Sequence, residues 1–340
     1  MRKVIVWVSF ALLFTCFYHL PKASASELNF SVNATGSNAH GGYYQLNVKP
    51  HFTYTLPVTI TNISDRAITV MAAQQNALTS IYGGIQYVNY THGLHTSLLD
   101  TRYALKNKIN GPKVISLQPH ESKIITYQVT SSDLTGVELG GLLFKESSET
   151  SSHQKKRDGT NFTTQNQVSR VIPIQLNYPK SEQKKVTISQ PVFDLKGSNP
   201  IIFIPLRNER ATITDNLSGN YAVYKKNKRI FEGKLNVNAF KMAPKTEIGY
   251  PLSWSGKTIT DGKYHIKMTL HTGNQIIKKN FELHVPKETL VTYQKEQDSH
   301  PIVTMNNRIL FVVIGVLVLI ILILGCFLLR KFNKKSDKKE

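Results

Sequence analysis

Few side chains in this sequence are spaced for chemistry, and none is spaced for catalysis. His92 and His95 lie three apart, a spacing at which two imidazoles on one helical turn can share a metal ion. They sit instead in a Gly/Asn/Thr stretch with no carboxylate before Asp100, so neither a metal site nor any other cofactor is expected. Glycoside hydrolysis needs two carboxylates facing each other across a cleft, and no acidic pair here stands in a motif that would arrange one. The sequence has no Gly-x-Ser-x-Gly elbow, His-Glu-x-x-His, P-loop or Gly-x-Gly-x-x-Gly. Its two thiols, Cys16 and Cys326, lie in apolar stretches near the two ends, which removes disulfide and thiolate chemistry from everything between. The expectation is a non-enzymatic binding protein with no catalytic residue.

Aromatic side chains are the remaining candidates for contact. Tyr43, Tyr44, Tyr82, Tyr87, Tyr90 and Tyr103 gather in the first third of the chain. A tyrosine offers a flat apolar face with a polar rim, which suits a sugar ring or a protein surface equally. Tyr44 alternates with Leu46 and Val48 and is assigned to a core instead.

The ends of the chain say where such contacts would be made. Arg2 and Lys3, the apolar run Val4 to Leu20 and the small residues Ala23-Ser24-Ala25 read as a signal peptide over 1–25, cleaved between Ala25 and Ser26. Ile309 to Leu329 is 21 residues without a charge, the length a helix needs to cross a bilayer core of about 20 residues. Six basic residues follow it and mark 330–340 as the cytoplasmic tail, so the rest lies outside the membrane. Five Asn-x-Ser/Thr sequons, at Asn33, Asn62, Asn89, Asn161 and Asn216, would suit glycosylation in a eukaryote. A cysteine-free exterior favours an exported bacterial protein, in which they are chance matches. With both ends set aside, 33 Lys and Arg remain against 20 Asp and Glu, a charge of +13. That balance favours polyanionic surroundings; outside a bacterium these are teichoic acids or anionic lipid heads, and the compartment excludes nucleic acid.

Between the ends, apolar and polar residues alternate with period two. Leu56, Val58 and Ile60, then Ile68, Val70 and Ala72, then Ile125, Tyr127 and Val129 each give a strand with one buried face. Turn chemistry separates them at Asn62 to Asp65, Gly83-Gly84, Asn110-Gly111-Pro112, Lys225 to Arg229 and Asp261-Gly262. The fold expected is all-β: two immunoglobulin-like antiparallel β-sandwich domains in tandem plus one C-terminal transmembrane α-helix. The first domain is assigned to 26–150 and the second to 164–290, with a polar loop at 151–163 and a stalk at 291–308.

Several short motifs occur in an order that resembles one family. Asn76-Ala77-x-Thr79 is followed by Gly84-Ile85-Gln86-Tyr87, and flanked by Tyr44-Gln45-Leu46-Asn47-Val48, Val58 to Asn62 and Gly136 to Phe144. Met242-Ala243-Pro244, Gly262-Lys263-Tyr264 and Phe281-Glu282-Leu283 continue the likeness to the end of the exterior. Together they resemble the WxL-interacting proteins, cell-surface proteins of low-GC Gram-positive bacteria. Ser37 to His40 and Ile276-Ile277 depart from the family pattern, where a Pro-x-Asn-Gln-like stretch and a tryptophan are usual.

The resemblance implies a first domain that binds peptidoglycan and a second that binds partner or host proteins. The partners it implies are peptidoglycan or teichoic acid, a WxL-domain surface protein and a host extracellular-matrix protein. Wall-binding candidates are Asn76, Thr79, Tyr82, Gly84, Tyr87 and Tyr90, although Asn76 and Thr79 equally suit a loop tied through side-chain bonds. Gly83-Gly84 and Gly140-Gly141 equally suit turns or bulges with positive φ. For a protein partner the expected route is an exposed edge at Tyr264 to Leu270, with Lys263, His265 and Lys267 facing outward. The alternatives are a wall-active enzyme or a purely structural stalk. If the exterior charge steers the protein to wall polyanions, wall retention falls as the Debye length shrinks from about 10 Å at 0.1 M salt to about 3 Å at 1 M. Retention that ignores salt over that range, in a sedimentation assay with purified walls, contradicts the charge argument.

Overall fold

Alternating sequence becomes alternating burial throughout. Leu56, Val58 and Ile60 are fully buried on the Thr53–Asn62 strand while Thr53, Thr55 and their outward neighbours meet solvent. A computed structural model describes residues 29–147, 168–179, 185–194, 201–235, 240–252, 259–273 and 275–291. The expected signal peptide with its Ala25/Ser26 cleavage, the polar loop, the span Ile309–Leu329 and the basic tail lie outside the described residues. Among the described residues no helix is long and apolar enough to cross a membrane. The chain divides into two compact units, Met1–Asp194, Pro200–Ile259 and Lys263–His284 in one, and Leu195–Asn199, Thr260–Gly262 and Val285–Glu340 in the other. Of the second, only Thr260–Gly262 and 285–291 are described.

The first unit holds both sandwich modules. In the first module one sheet orders Phe30–Ala34, Thr53–Asn62, Ser122–Thr130 and Ile109–Asn110 side by side. The facing sheet runs Ala39–His40, Tyr43–Asn47, Ser169–Asn177, Val137–Glu146, Ile68–Thr79 and Ile85–Val88, with Val114–Leu117 also paired to Ile68–Thr79. Phe30, Leu56 and Tyr127 from one sheet and Tyr44, Leu142 and Phe144 from the other fill a single core, and Tyr127 meets Phe144 edge-on at 6.0 Å.

Ser169–Asn177 lies beyond the polar loop, within the stretch assigned above to the second domain, yet it pairs inside this first sheet. It runs antiparallel to Val137–Glu146 and parallel to Tyr43–Asn47, so the sheet is not purely antiparallel. The apolar residues Ile172, Ile174 and Leu176 account for this, because all three are buried in the first core. Pro173 sits one residue before the parallel rungs begin at Ile174, where its missing N–H removes none of them.

The second module pairs Val186–Ile188 and Val192–Asp194 with Ile201–Asn208, which continues to Thr246–Pro251. Its other sheet orders Lys228–Lys234, Thr214–Lys225, Gly262–Thr272 and Gln275–Val285. Tyr221 and Tyr250 approach across the two sheets at 6.5 Å. The expected edge at Tyr264 to Leu270 is therefore not an edge. Its side-chain alternation is as read, with Tyr264, Ile266, Met268 and Leu270 buried, but a strand lies on each side of it. Period two reports which face a residue occupies and is silent about neighbours in the sheet plane.

Both modules close a strand with the same clamp. Asn62 is fully buried and its amide donates to the carbonyls of Arg66 at 2.7 Å and Gln118 at 2.8 Å, while its Oδ1 accepts from the Ser64 backbone at 3.0 Å. Asn208 repeats this, donating to Thr212 at 2.9 Å and Ala243 at 2.8 Å and accepting from Arg210 at 3.2 Å. An Asn that meets three backbone groups and one hydroxyl, Ser64 for Asn62 and Thr214 for Asn208, fixes a turn that could otherwise leave buried polar atoms without partners.

The first core also buries phenols. Burial pushes the hydroxyls of Tyr44 and Tyr127 above the ordinary tyrosine value, and Tyr178 rises through burial first and then through the adjacent Glu138. A raised acid holds its proton longer folded than unfolded. Stability is thus intact below the unfolded value of about 10 and declines as pH rises beyond it. The melting temperature should fall steadily above about pH 10, and a flat profile in that range contradicts the burial of these phenols.

Candidate functional site at the junction of the modules

Thr79 is the last residue of the twelve-residue Ile68–Thr79 strand and is fully buried. Its Oγ1 accepts from the backbone N–H of Ala243 at 2.9 Å and lies 2.5 Å from Thr246 Oγ1. Thr246 donates its own hydroxyl proton to the Ala243 carbonyl at 2.8 Å. The proton between the two threonines must therefore come from Thr79, and the four groups form a closed ring. The carbonyl of Thr79 accepts from Thr96 Oγ1 at 2.7 Å. The family-like motifs around Thr79 and Ala243 thus meet in one network that joins the modules.

Main-chain bonds extend the joint. Thr96–Leu98, a strand of the first module, pairs antiparallel with Thr246–Pro251 and completes the second module's sheet. Leu99 donates to the Lys245 carbonyl at 2.7 Å, Gly249 to His95 at 2.9 Å, Gly84 to Lys241 at 2.9 Å, and Val137 to Ala211 at 2.6 Å. His95 stacks on Phe203 at 3.9 Å and lies 3.8 Å from Asp194, whereas His92 bonds to its neighbour Thr91 at 3.0 Å. The two histidines are therefore used separately.

Glycines at the joint are there for space. At Gly83, with φ +91, an added Cβ would lie 2.6 Å from the Phe240 ring, and at Gly136, with φ +70, 1.9 Å from the Ala211 carbonyl. Gly84 also has positive φ, as the turn reading expects. Gly140 and Gly141 do not fit that reading, because they lie inside the Val137–Glu146 strand. There a Cβ would meet the Gln75 carbonyl and Leu105 at Gly140, and the Ile172 carbonyl and Tyr87 at Gly141. Close approach of a neighbouring strand and an aromatic ring is the constraint.

The wall-binding candidates separate by burial. Asn76 is 2% exposed, donating to the Tyr90 carbonyl at 3.2 Å and accepting from the Lys106 backbone at 3.0 Å. Tyr87 packs with Ile85 and Val137 against Ala77, Leu139 and Ala243, and burial pushes its hydroxyl up to about 12. Tyr82 and Tyr90 are 62% and 40% exposed, as is Leu94 at 66% on the same loop. The candidates thus divide into residues that shape the loop and residues that present a surface.

Behind the joint lies a buried charge. The Glu138 carboxylate is fully buried, accepting from Lys108 at 2.6 Å and from the Tyr178 hydroxyl at 2.7 Å. Burial pushes this carboxyl up while Lys108 and Tyr178 oppose it. In front lies a cleft of about 520 Å³ walled by Leu98, Asp100, Arg102, Arg207, Glu209 and Lys245 among others. Two bonds from Arg102 lead the effects holding Asp100 below the ordinary carboxylate range, and Lys245 donates to the Glu209 carbonyl at 2.9 Å. Thr96, Ala211 and Thr246 are joint residues that sequence reasoning missed. A three-residue strand such as Thr96–Leu98 is too short to give a period.

Two family models match this chain. Residues 29–146 match the WxL Interacting Protein, peptidoglycan binding domain, and residues 159–295 match the WxL Interacting Protein, host binding domain. Among solved structures, the CsuC–CsuE chaperone–tip adhesion subunit pre-assembly complex of Acinetobacter baumannii is similar at 11% identity, covering 75% of this chain and 98% of that one with TM-score 0.33. The E. coli chaperone DraB is 16% identical over 75% and 97% of the two chains, TM-score 0.28. A PapD-like domain of human CEP192 is 8% identical over 48% and 96%, TM-score 0.29. Likeness this weak bears on neither shape nor function. No curated protein matches.

Replacing Thr79 with Val keeps the shape but leaves the Ala243 N–H unpaired in a buried site, a cost of about 1–3 kcal/mol. Thermal unfolding should show that loss for Thr79→Val and almost none for Tyr82→Ala. Equal melting temperatures for the two variants contradict the ring's role.

Proposed function

The chain belongs to the WxL-interacting proteins, and from that membership we propose a non-enzymatic cell-surface protein that holds peptidoglycan with one immunoglobulin-like module and a protein partner with the next. The observation that carries the reading is the order of the two matched domains, wall-binding over 29–146 and host-binding over 159–295. The signal-like 1–25 and the apolar run Ile309–Leu329 support export and anchoring in the cell membrane, with the tail from Arg330 inside. A WxL-domain surface protein is the partner proposed beside the wall, and a host extracellular-matrix protein the partner proposed beyond it.

Within the first module, wall contact is proposed for Tyr82 and Tyr90, the exposed aromatics of the candidate set. An exposed tyrosine can stack on a glycan ring and bond its hydroxyls. Asn76, Thr79, Gly84 and Tyr87 act through the loop: Asn76 ties its far end to Lys106, and Gly84 fastens its near end to Lys241. This division supports a positioning role for the buried residues and a contact role for the exposed ones.

Co-sedimentation of the full-length protein in detergent with purified peptidoglycan sacculi tests the reading. The wild-type protein should pellet, and Tyr82→Ala with Tyr90→Ala should leave most of it in the supernatant at an unchanged melting temperature. Release of soluble muropeptides from the sacculi would instead identify a wall-active enzyme, and a supernatant-only result for the wild type would remove wall binding.

A further inference from the structure

The second module carries a groove that the domain match does not describe. Tyr224, Asn227, His265, Lys267, Asn280 and Glu282 are among the residues that line a cavity of about 560 Å³. That size falls within the range of about 300–1,000 Å³ usual for small-ligand sites. It lies on the outward face of the Thr214–Lys225, Gly262–Thr272, Gln275–Val285 sheet, next to the hairpin that joins Thr214–Lys225 to Lys228–Lys234.

The hairpin fixes one wall. Lys225 pairs with Lys228, and Lys226 and Asn227 take φ of 47° and 62°. Two successive positive φ values give the tight turn whose twist matches its strands. This places the Asn227 carboxamide at the groove and leaves Lys226 and Lys228 exposed beside it. Opposite Tyr224 in register stands His265, whose Nδ1 lies 3.6 Å from Glu282 Oε1. Lys267 Nζ sits 5.1 Å from the centre of the Tyr224 ring, close enough for the ring to hold the ammonium over its face.

The lining has the composition of a site for an acidic sugar. Tyr224 supplies an aromatic face, Asn227 and Asn280 supply paired donors and acceptors for hydroxyls, and Lys267 supplies a cation. Of the carboxylates near the groove, Glu232 is paired with Arg229 at 2.9 Å, and Glu282, 3.6 Å from the His265 ring, is one acid against four lysines. The lysines Lys226, Lys228, Lys263 and Lys267 therefore set the sign of the field. Lys263 and Lys267 lie on one face of one strand, about 13 Å apart at about 3.4 Å per residue. One sugar unit cannot span that distance, but several units of a linear chain can.

We propose that this groove binds a sulfated, uronate-containing glycan of the host matrix, seating one acidic sugar between Tyr224 and Asn280 while Lys263 and Lys267 follow the chain. The inference rests on the reading of the second module as host-binding and names the class of ligand. A polyol-phosphate wall polymer would answer the charge, but it has no ring in its backbone to use the aromatic and amide lining.

The test is calorimetric titration of the full-length protein in detergent with a heparin-derived octasaccharide and with a glycerol-phosphate polymer. The octasaccharide should bind, Lys263→Ala with Lys267→Ala should weaken it about tenfold or more, equivalent to about 1.4 kcal/mol, and Asn280→Ala should weaken it severalfold. Lys267→Arg should keep most of the affinity. All three residues are exposed, so unchanged melting temperatures confirm that the variants fold. No binding of the octasaccharide, binding indifferent to these residues, or equal binding of the glycerol-phosphate polymer overturns the proposal. Sacculus sedimentation of the same preparations separates the two readings: walls held without the glycan removes this groove alone, and glycan bound without walls removes the wall reading alone.

Discussion

The joint between the two modules is built around the ring of hydrogen bonds that Thr79 closes with Ala243 and Thr246. The strand Ile68–Thr79 lies one strand in from the edge of the first module's larger sheet, and its last side chain is bonded to the second module's backbone. A threonine is required there because the site needs one acceptor and one donor on the same atom, in a place water does not reach. Valine has the shape without the polarity, and serine would leave the methyl volume empty. The addition of Thr96–Leu98 to Thr246–Pro251 then puts a strand of the first module into the second module's sheet, held by main-chain bonds that do not depend on side-chain identity.

This has a mechanical consequence. Two domains joined by a linker swing independently unless their interface is large and apolar. Here the last strand of the first sheet comes from beyond the polar loop, and a strand of the second sheet comes from the first module. Each module is incomplete without chain that lies on the other side of the nominal boundary. A contact made by Tyr82 or Tyr90 is therefore made by a residue only a few positions from backbone bonded to the second module. The modules matched by the two domain descriptions thus belong to one compact unit.

The charges follow the same logic of position. Glu138 is buried with Lys108 and Tyr178 at the base of the joint, where removing one partner would leave an uncompensated charge at a cost of about 3–5 kcal/mol. The second module's lysines stand on its open sheet face and hairpin tip, where water screens them and a ligand can reach them. One set of ionisable groups holds the fold, and the other faces outward.

The sequence alone determined the longer strands and their inward faces, because period two is a local property and burial follows it. Tyr44, Leu56, Ile174 and Tyr264 all point where their alternation puts them. It also determined the turn glycines Gly83 and Gly84 and the hairpin tip at Lys225 to Arg229, since positive φ has a strong residue preference. Only the tertiary structure decided which strands are neighbours: Ser169–Asn177 joined the first sheet, Tyr264 to Leu270 became an interior strand, and Gly140 and Gly141 proved to be points of close approach. It also decided that Asn76, which read as a loop or contact residue, is buried against Tyr90 and Lys106, and that Thr79 is buried in a joint with a segment more than 150 positions away. Pairing across such distances is set by the free energy of the assembled core and its satisfied polar groups, a quantity that no local pattern encodes.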